Sequence, residues 1–359
     1  VVLDSLIVQS HKGSYTVSFD SKLLEGELYH KGVNTHFIVD ANVAKIYKEK
    51  LNKVLINPNT IIIEAVEKSK SLENIIPVID RLVENNIRRN HRLVAIGGGI
   101  TQDITCFISS TLLRGVEWEF VPTTLLSQAD SCIGSKSSIN INSAKNILGT
   151  FYPPRNVYID YSFIDTLNSR DVRSGIGEII KVHAIESSSS FDKLSADYDR
   201  ILDDKDILQI YIRSALVIKK KYIEEDEFDK GIRNVFNYGH SFGHAIEAAT
   251  KFKIPHGIAV TIGMDMANHI AMQRGLITEK SYRRMTPVLV KNYFEYINTD
   301  IPIKELLSSL LKDKKNTNTH LVLILPVGDN STISRVEVCP DDEFLTQCNV
   351  FLKGLLHEE

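Results

Sequence analysis

Two histidines, His240 and His244, lie four residues apart in the segment RNVFNYGHSFGHAIE. At this spacing both imidazoles lie on one face of a helix. The pattern is not HExxH, because no glutamate follows the first histidine to act as a base. Such a pair binds a metal ion, binds an anion or only packs, and the spacing alone leaves these three readings open.

Two further residues can complete a metal site. His256 lies downstream in IPHG, and Glu178 lies upstream in SGIGEIIK. Two imidazoles and one carboxylate with an open fourth position form a common catalytic zinc set. The sequence does not select the ligands, because a buried histidine is often only structural.

Basic and amide side chains suited to anions occur at Lys136, Lys145, Asn146, Lys181, Lys219, Arg233, Asn237 and Lys314. Most isolated lysines are solvated surface charges. Lys136 and Lys145 differ, because each is embedded among Gly, Ser, Asn and apolar residues. That setting favours a lysine directed at an anion.

A triple glycine, Gly97–Gly99, follows an apolar run in LVAIGGGITQD and precedes a helical pattern near Asp103. Glycines there let the backbone approach a pyrophosphate, and the helix N-terminus supplies free N–H groups. The spacing is not GxGxxG, so a plain tight turn is an equal alternative.

Polar residues also end two other apolar runs of the first half. Asp40 and Asn42 follow one run, and Thr123 and Thr124 follow another. Three polar ends on one parallel sheet indicate a nucleotide crevice at the carboxyl ends of its strands.

The elements that position these residues change along the chain. Short apolar, β-branched runs alternate with helical patterns such as SLENIIPVIDRLVENN. This alternation predicts a parallel sheet covered on both faces. The runs are HFIVDAN, IIIEAV, RLVAIGGG, EWEFVPTT and NVYID. From about Leu167 the patterns are helical, and only HLVLILPVG is typical of a further strand. We predict an α/β fold with an N-terminal Rossmann-like domain, 1–166, and a mainly helical domain, 167–359.

The composition excludes several classes of protein. A net charge of −3 gives no reason to expect nucleic acid or a membrane surface as partner. No apolar run reaches the roughly 18 to 20 residues that span a bilayer, and the first residues do not resemble an export signal. The four cysteines form no CxxC pair, which favours a reducing cytoplasm.

Taken together, these segments closely resemble 3-dehydroquinate synthase and its sugar phosphate cyclase relatives. The matching motifs occur in family order from Asp40 to Lys315: GGGITQD, LLRGVEWEFVPTTLLSQADSCIG, KSSIN, AKNILGTFYPP, VRSGIGEIIK, GIRNVFNYGHSFGHAIE and IPHGIAVTIGM. The resemblance implies the two-domain fold described above.

The resemblance also implies a division of roles among the residues. The metal, usually zinc with cobalt as an alternative, would be bound by Glu178, His240 and His256, and His244 would contact the substrate phosphate. NAD would be bound by Asp40, Asn42, Glu67, Lys70, Gly98, Gly99, Ile100, Asp103, Thr123, Thr124, Leu126, Lys145, Thr166 and Leu167. The substrate would be bound or acted on by Asp130, Lys136, Asn146, Lys181, Lys219, Arg233, Asn237, His244 and Lys314. Arg114 resembles the arginine that reaches a neighbouring subunit, which implies a homodimer.

The implied reaction converts 3-deoxy-D-arabino-heptulosonate 7-phosphate to 3-dehydroquinate and phosphate. It proceeds by oxidation, phosphate elimination, reduction, ring opening and intramolecular aldol closure, with NAD regenerated. Two departures from the family pattern leave the substrate open: Ser135 replaces a glycine beside Lys136, and Gln102 with Thr105 and Cys106 replaces small residues. The alternatives are a sister cyclase for sedoheptulose 7-phosphate or glucose 6-phosphate, a metal-dependent polyol dehydrogenase, and a catalytically silent binding protein.

Overall fold

A computed structural model of the chain describes residues 5–19, 34–141, 144–313 and 316–355. By its internal contacts the chain divides into two compact units. The first contains Val1–Leu167 and Lys219–Phe228, and the second contains Asn168–Ile218 and Asp229–Glu359. The division into domains 1–166 and 167–359 stays a prediction.

The described part of the first unit contains a seven-stranded sheet in the order β1-β2-β9-β6-β5-β3-β4. Its strands are β1 Ser5–Val8, β2 Tyr15–Ser18, β3 Thr35–Asp40, β4 Thr60–Ile63, β5 Arg92–Gly97, β6 Glu117–Pro122 and β9 Asn156–Tyr158. All neighbours pair in parallel except β1 and β2, which form an antiparallel pair at one edge. The five strands expected from the sequence are confirmed, whereas β1 and β2 were not predicted from the sequence.

In the described part of this unit, four helices follow the strands: α1 Ala41–Ile46, α2 Asn52–Leu55, α3 Leu72–Glu84 and α4 Gly99–Thr111. Helix α4 begins at the glycine turn and packs on β5 and β6. Gly98 is its N-cap residue and still has an extended conformation, so the helical backbone begins at Gly99. A separate hairpin of β7 Lys136–Ile141 and β8 Ala144–Phe151 was not expected, since its strands are rich in Ser and Asn.

The second unit is mainly helical, and the predicted fold class is confirmed. Its helices are α5 Ser169–Glu186, α6 Ser188–Asp203, α7 Lys205–Glu225, α8 His240–Ala249, α9 His256–Gln273, α10 Glu279–Tyr293, α11 Ile303–Leu311 and α12 Asp342–Leu355. The end of α7, from Lys219, belongs to the first unit. The expected strand is β10 Leu321–Val327, and it pairs with β11 Thr332–Val338, which the sequence reading missed. No described helix combines the length and the apolar character that a bilayer span requires.

Helix α9 is the centre of the second unit, because every residue from Gly257 to Ala271 is buried. It packs against α5, α8, α10 and α12. Glycines allow the closest of these contacts. A Cβ atom on Gly257 would lie 1.8 Å from the carbonyl oxygen of Ser174 in α5, and one on Gly177 would lie 2.2 Å from the carbonyl oxygen of Gly257.

The contact between α8 and α9 is built in the same way. A Cβ atom on Gly263 of α9 would lie 2.2 Å from the carbonyl oxygen of Gly239, and one on Gly243 would lie 3.0 Å from Cα of Val260. Three helix backbones therefore approach one another at positions where no larger residue fits.

We expect Gly257→Ala to lower the free energy of unfolding by about 3 kcal/mol or more, because the added methyl group meets backbone that cannot rotate away. Urea denaturation of the purified variant measures this loss. Gly354→Ala in α12 is the control, since a Cβ atom there meets nothing within 4 Å, and it should change the free energy by at most about 1 kcal/mol. Equal stability of the two variants would contradict the tight α5–α9 contact.

Candidate active site

The glycine contacts bring together three of the residues singled out as metal ligands. Glu178 follows Gly177 in α5, and His256 precedes Gly257 at the start of α9. His240 begins α8 directly after Gly239, whose positive φ of 74° turns the chain into the helix. Each candidate ligand is thus the neighbour of a glycine at a close helix contact.

One carboxylate oxygen faces two imidazoles at this point. Oε1 of Glu178 lies 3.4 Å from Nε2 of His256 and 3.6 Å from Nε2 of His240. Two ligand atoms that each bind a tetrahedral zinc ion at about 2.1 Å lie about 3.4 Å apart. The spacing of the three atoms therefore fits a divalent cation between them.

The opposite nitrogens of both rings face hydrogen-bond acceptors. Nδ1 of His240 lies 3.2 Å from the carbonyl oxygen of Tyr238, and Nδ1 of His256 lies 3.1 Å from Oε2 of Glu247. These acceptors favour the tautomer with the proton on Nδ1. The lone pairs of the Nε2 atoms then face Glu178. The same arrangement occurs in metal sites where a histidine binds the metal through one nitrogen and donates its other N–H to a carboxylate or carbonyl group.

The electrostatics of this cluster favour an ionised Glu178 and a protonated His256. Burial would raise the pKa of Glu178, but the Lys181 ammonium 2.5 Å from Oε2 and the neighbouring imidazoles lower it well below its usual value. Burial also lowers the pKa of His240, and Lys181 lowers it further. For His256, burial is outweighed by the carboxylates of Glu178 and Glu247, which raise its pKa to about 10. The two carboxylates thus hold a proton on His256 in the place that a cation would take, and metal binding would displace it.

A fourth side chain, His244, also lies at this centre. Nitrogens of His240, His244 and His256 lie within 4.8 Å of one another, so these three histidines could hold a metal ion as well. The carboxyl group of Glu178 is buried, and its described close neighbours are the Lys181 ammonium at Oε2 and the two imidazoles near Oε1. A buried carboxylate is favourable only beside cations, which favours Glu178 over His244 as the third ligand. The choice between them stays a prediction.

The remaining candidates of the second unit lie beside these ligands in the chain. Arg233 and Asn237 belong to a short 3₁₀ segment, Ile232–Asn237, that leads into His240. Arg233 is buried, and Nδ2 of Asn237 donates to the carbonyl oxygen of Asn234. The ammonium of Lys181 also lies 5.6 Å above the ring of Phe236 in this segment. Lys314 lies outside the described residues.

In the first unit, the polar strand ends share one edge of the sheet. Strands β3, β5 and β6 are adjacent and parallel, so Asp40, the glycine turn and Thr123 follow them on the same side. Oδ1 of Asp40 accepts from the backbone N–H of Asn42 and caps α1. A Cβ atom on Gly98 would lie 2.9 Å from Cγ2 of Thr124, so only glycine fits between the turn and β6. This edge is the arrangement expected for a nucleotide site.

Five candidate residues of this unit are joined in one polar network. Nζ of Lys70 donates to Oδ2 of Asp103 and Oδ1 of Asn146, both at 3.0 Å. Lys145 forms an ion pair of 3.5 Å with Glu67. Asn146 has a φ of 54°, a strained conformation that places it within reach of Lys70.

The other cofactor candidates are more scattered. Ile100 lies in the first turn of α4, and Leu126 precedes a π-helical turn, Ser127–Ser131. Thr166 exchanges a hydrogen bond of 2.8 Å with the hydroxyl of Tyr47, and Leu167 follows it. The roles of all cofactor candidates stay predictions.

Among the substrate candidates of the first unit, Lys219 and Asp130 form an ion pair of 2.9 Å. Lys136 is an exposed residue at the start of β7. Arg114 lies in a turn where Leu113, Arg114 and Gly115 all have positive φ. Such consecutive strained residues are rare and support a functional role for the turn.

The sequence reading missed Glu247 and the carbonyl group of Tyr238. A signal was available for Glu247, because it lies three residues after His244 and seven after His240 on one helical face. No sequence pattern could identify the carbonyl group of Tyr238, since any residue supplies one.

Models of the 3-dehydroquinate synthase N-terminal and C-terminal regions match residues 60–174 and 175–316. The chain is 38% identical over 319 residues to a 3-dehydroquinate synthase of Dictyoglomus turgidum, which covers 88% of each chain. It is 35% identical over 329 residues to the 3-dehydroquinate synthase of Helicobacter pylori strain P12, which covers 91% of this chain and 93% of that one.

Solved structures of two other cyclases have the same fold. The 2-epi-5-epi-valiolone synthase ValA of Streptomyces hygroscopicus, with NAD+ and Zn2+ bound, is 25% identical with a TM-score of 0.82 over 96% of this chain and 97% of its own. A 2-deoxy-scyllo-inosose synthase complexed with carbaglucose-6-phosphate, NAD+ and Co2+ is 23% identical with a TM-score of 0.81 over 98% and 100%. The resemblance seen in the motifs is thereby confirmed: the chain belongs to the 3-dehydroquinate synthase family of sugar phosphate cyclases.

Proposed function

We propose that this cyclase is a 3-dehydroquinate synthase that converts 3-deoxy-D-arabino-heptulosonate 7-phosphate to 3-dehydroquinate and phosphate. The observation that carries the proposal is the convergence of Glu178, His240 and His256, with Lys181 beside them, in a chain 38% identical to a protein of that name. The presence of Arg233 supports this choice, because a substrate with a carboxylate requires a cationic partner.

The proposed cofactors are NAD and a divalent metal ion, zinc or cobalt. Glu178, His240 and His256 would hold the metal, and the strand edge at Asp40 and Gly98 with the Lys70 network would hold NAD. When bound, the metal supplies a Lewis acid for a ring hydroxyl group, and the nicotinamide supplies a reversible hydride acceptor.

The side chains of the chain itself bind and orient the substrate. We propose that Lys136, Lys181, Lys219 and Arg233 attract its phosphate and carboxylate groups, while Asn146, Asn237 and His244 orient the leaving phosphate. Asp130, Arg114 and Lys314 complete the proposed substrate set. Such positioning lowers the activation barrier of phosphate elimination, because it stabilises the negative charge that develops on the departing phosphate.

A sister cyclase is the second candidate, and the likeness to ValA favours it. That likeness is weaker in sequence than the likeness to the 3-dehydroquinate synthases, at 25% against 38% identity. A polyol dehydrogenase is less well supported, because it has no need of so many phosphate-binding residues. We further propose a cytoplasmic homodimer, in which Arg114 reaches the neighbouring subunit.

Phosphate release separates these activities. Purified protein with catalytic NAD and Zn²⁺ should release phosphate from 3-deoxy-D-arabino-heptulosonate 7-phosphate, and not from sedoheptulose 7-phosphate or glucose 6-phosphate. The product should have the absorption spectrum and the chromatographic retention time of 3-dehydroquinate. Phosphate release from sedoheptulose 7-phosphate or glucose 6-phosphate, without release from the heptulosonate phosphate, would contradict the proposal. Net accumulation of NADH with a simple polyol would indicate the dehydrogenase.

Removal of single ligands tests the metal assignment. His256→Ala and Glu178→Gln should each lose bound zinc and turnover, because the first removes a ligand nitrogen and the second removes the negative charge of the ligand oxygen, while circular dichroism stays that of a folded protein. His244→Ala should keep zinc and lose turnover, since its proposed partner is phosphate. Metal content is measured by atomic emission after dialysis. Loss of zinc in His244→Ala with retention in Glu178→Gln would exchange the two roles.

Glu247 should set the zinc affinity through His256. Replacing a carboxylate behind a ligating histidine weakens metal binding by about 10- to 100-fold. We expect Glu247→Ala to weaken zinc binding more than Glu247→Gln, whose carbonyl oxygen still accepts from Nδ1. Competition with a chelator measures both affinities. Glu279→Gln, which removes an exposed ion pair with Arg283, is the control and should bind zinc like the parent protein.

A further inference from the structure

Gln102, one of the departures from the family pattern, is buried in the first turn of α4. Both ends of its amide are bonded to the same residue. Nε2 donates to the carbonyl oxygen of Ser131, and the Ser131 hydroxyl donates to Oε1, each at 2.6 Å. The amide is therefore used within the protein, and it ties the helix behind the glycine turn to the segment that contains Asp130.

That segment, Ser127–Ser131, is a single π-helical turn closed by a hydrogen bond of 3.0 Å from Cys132 N to Ser127 O. In an α-helix the carbonyl group of Asp130 would accept from the N–H of Gly134. Here Gly134 donates instead to the hydroxyl of Tyr15 at 2.8 Å. The carbonyl oxygen of Asp130 is thus left for another donor, as often happens where a π turn lies at a functional site.

Lys219 is that donor. Its Nζ donates to the carbonyl oxygen of Asp130 at 2.6 Å and lies 2.9 Å from Oδ1 of the same residue. Lys219 is buried, with 7% of its surface exposed. The neighbouring residues Asp130 and Ser131 are therefore each bonded by a different side chain, Asp130 by Lys219 and Ser131 by Gln102.

The end of α7 that carries Lys219 has an anchor of its own. Glu224 accepts from the N–H of Gln9 at 2.8 Å, and Glu227 accepts from the hydroxyl of Ser10 and the N–H of His11 at 2.6 and 2.7 Å. The β1–β2 turn thus fixes the backbone near Lys219. The π turn is held at its start by Ser127 and Gln128, which bond Thr124, Pro122 and Asp160, and at its end by the amide of Gln102.

We propose that Gln102 is a positioning residue, which acts through Ser131 and Asp130 to hold the ammonium of Lys219 in place. The inference rests on the proposed function, which assigns Lys219 a role in catalysis. Loss of the amide leaves the half-buried carbonyl group of Ser131 without this donor and releases the end of the π turn that carries Asp130. A shift of about 1 Å at a catalytic group lowers turnover by about 100-fold.

Gln102→Leu tests the proposal, because leucine fills a similar volume without hydrogen bonds. We expect kcat for the heptulosonate phosphate to fall about 10- to 100-fold. Gln347→Leu is the matched control: Gln347 is equally buried, at 6% exposed, and bonds Arg274 and Glu343 through both ends of its amide. It should lose comparable stability in thermal unfolding and keep its kcat.

A double-mutant cycle separates positioning from general loss of structure. In a Lys219→Ala background, Gln102→Leu should change the residual turnover by less than about twofold, because the group it positions is gone. Ser131→Ala removes one of the two hydrogen bonds and should have an intermediate effect. A full, additive loss in the Lys219→Ala background would overturn the proposal.

Chemical acetylation of Lys219, followed by peptide mass spectrometry, tests the same point without turnover. Lys219 should react several-fold faster in Gln102→Leu than in the parent protein or in Gln347→Leu. If the parent protein acts on none of the three sugar phosphates, the proposed function fails. The acetylation rate of Lys219 would then decide by itself whether Gln102 positions Lys219. Unchanged reactivity, or unchanged kcat in Gln102→Leu, overturns the proposal.

Discussion

The close approach of helix backbones at glycines in the second unit is the constraint on which its candidate metal centre depends. Gly177 and Gly257 allow α5 and α9 to touch, and Gly239 and Gly263 allow the start of α8 to touch α9. Each ligand candidate is next to one of these glycines in sequence. A methyl group at such a contact would separate the helices by more than a metal–ligand bond can tolerate, so packing and chemistry are set by the same atoms.

The charges at this centre are suited to a cation. Glu178 is buried with Lys181 on one oxygen and two imidazoles near the other. The acceptors behind the imidazoles, Glu247 and the carbonyl group of Tyr238, keep the lone pairs of Nε2 directed inward. A buried carboxylate facing two lone pairs is unfavourable unless a cation lies between them, and the raised pKa of His256 reflects that demand.

The first unit uses a different principle, because its candidate residues are linked by polar networks rather than by helix packing. Lys70 joins Asp103 of α4 to Asn146 of the β7–β8 hairpin. Gln102 joins α4 to the π turn, and Asp130 of that turn joins Lys219. Helix α4, which begins at the glycine turn, is the common member of both networks. Binding of a dinucleotide at the start of α4 would therefore also affect the position of Lys219.

The sequence by itself determined the fold class, the family and the types of side chain available, because hydrophobic periodicity and ordered motifs are local properties of the chain. It identified five parallel strands and the four side chains Glu178, His240, His244 and His256. It missed β1, β2, β11 and the β7–β8 hairpin, whose strands are short or contain many polar residues and pair within hairpins. It also missed the role of Gln102 and the acceptors at Tyr238 and Glu247, although the helical spacing of Glu247 from His244 offered a signal. Which of these groups meet depends on how the elements pack, and only the tertiary packing of α5, α8 and α9, and of α4 with the π turn, decides it.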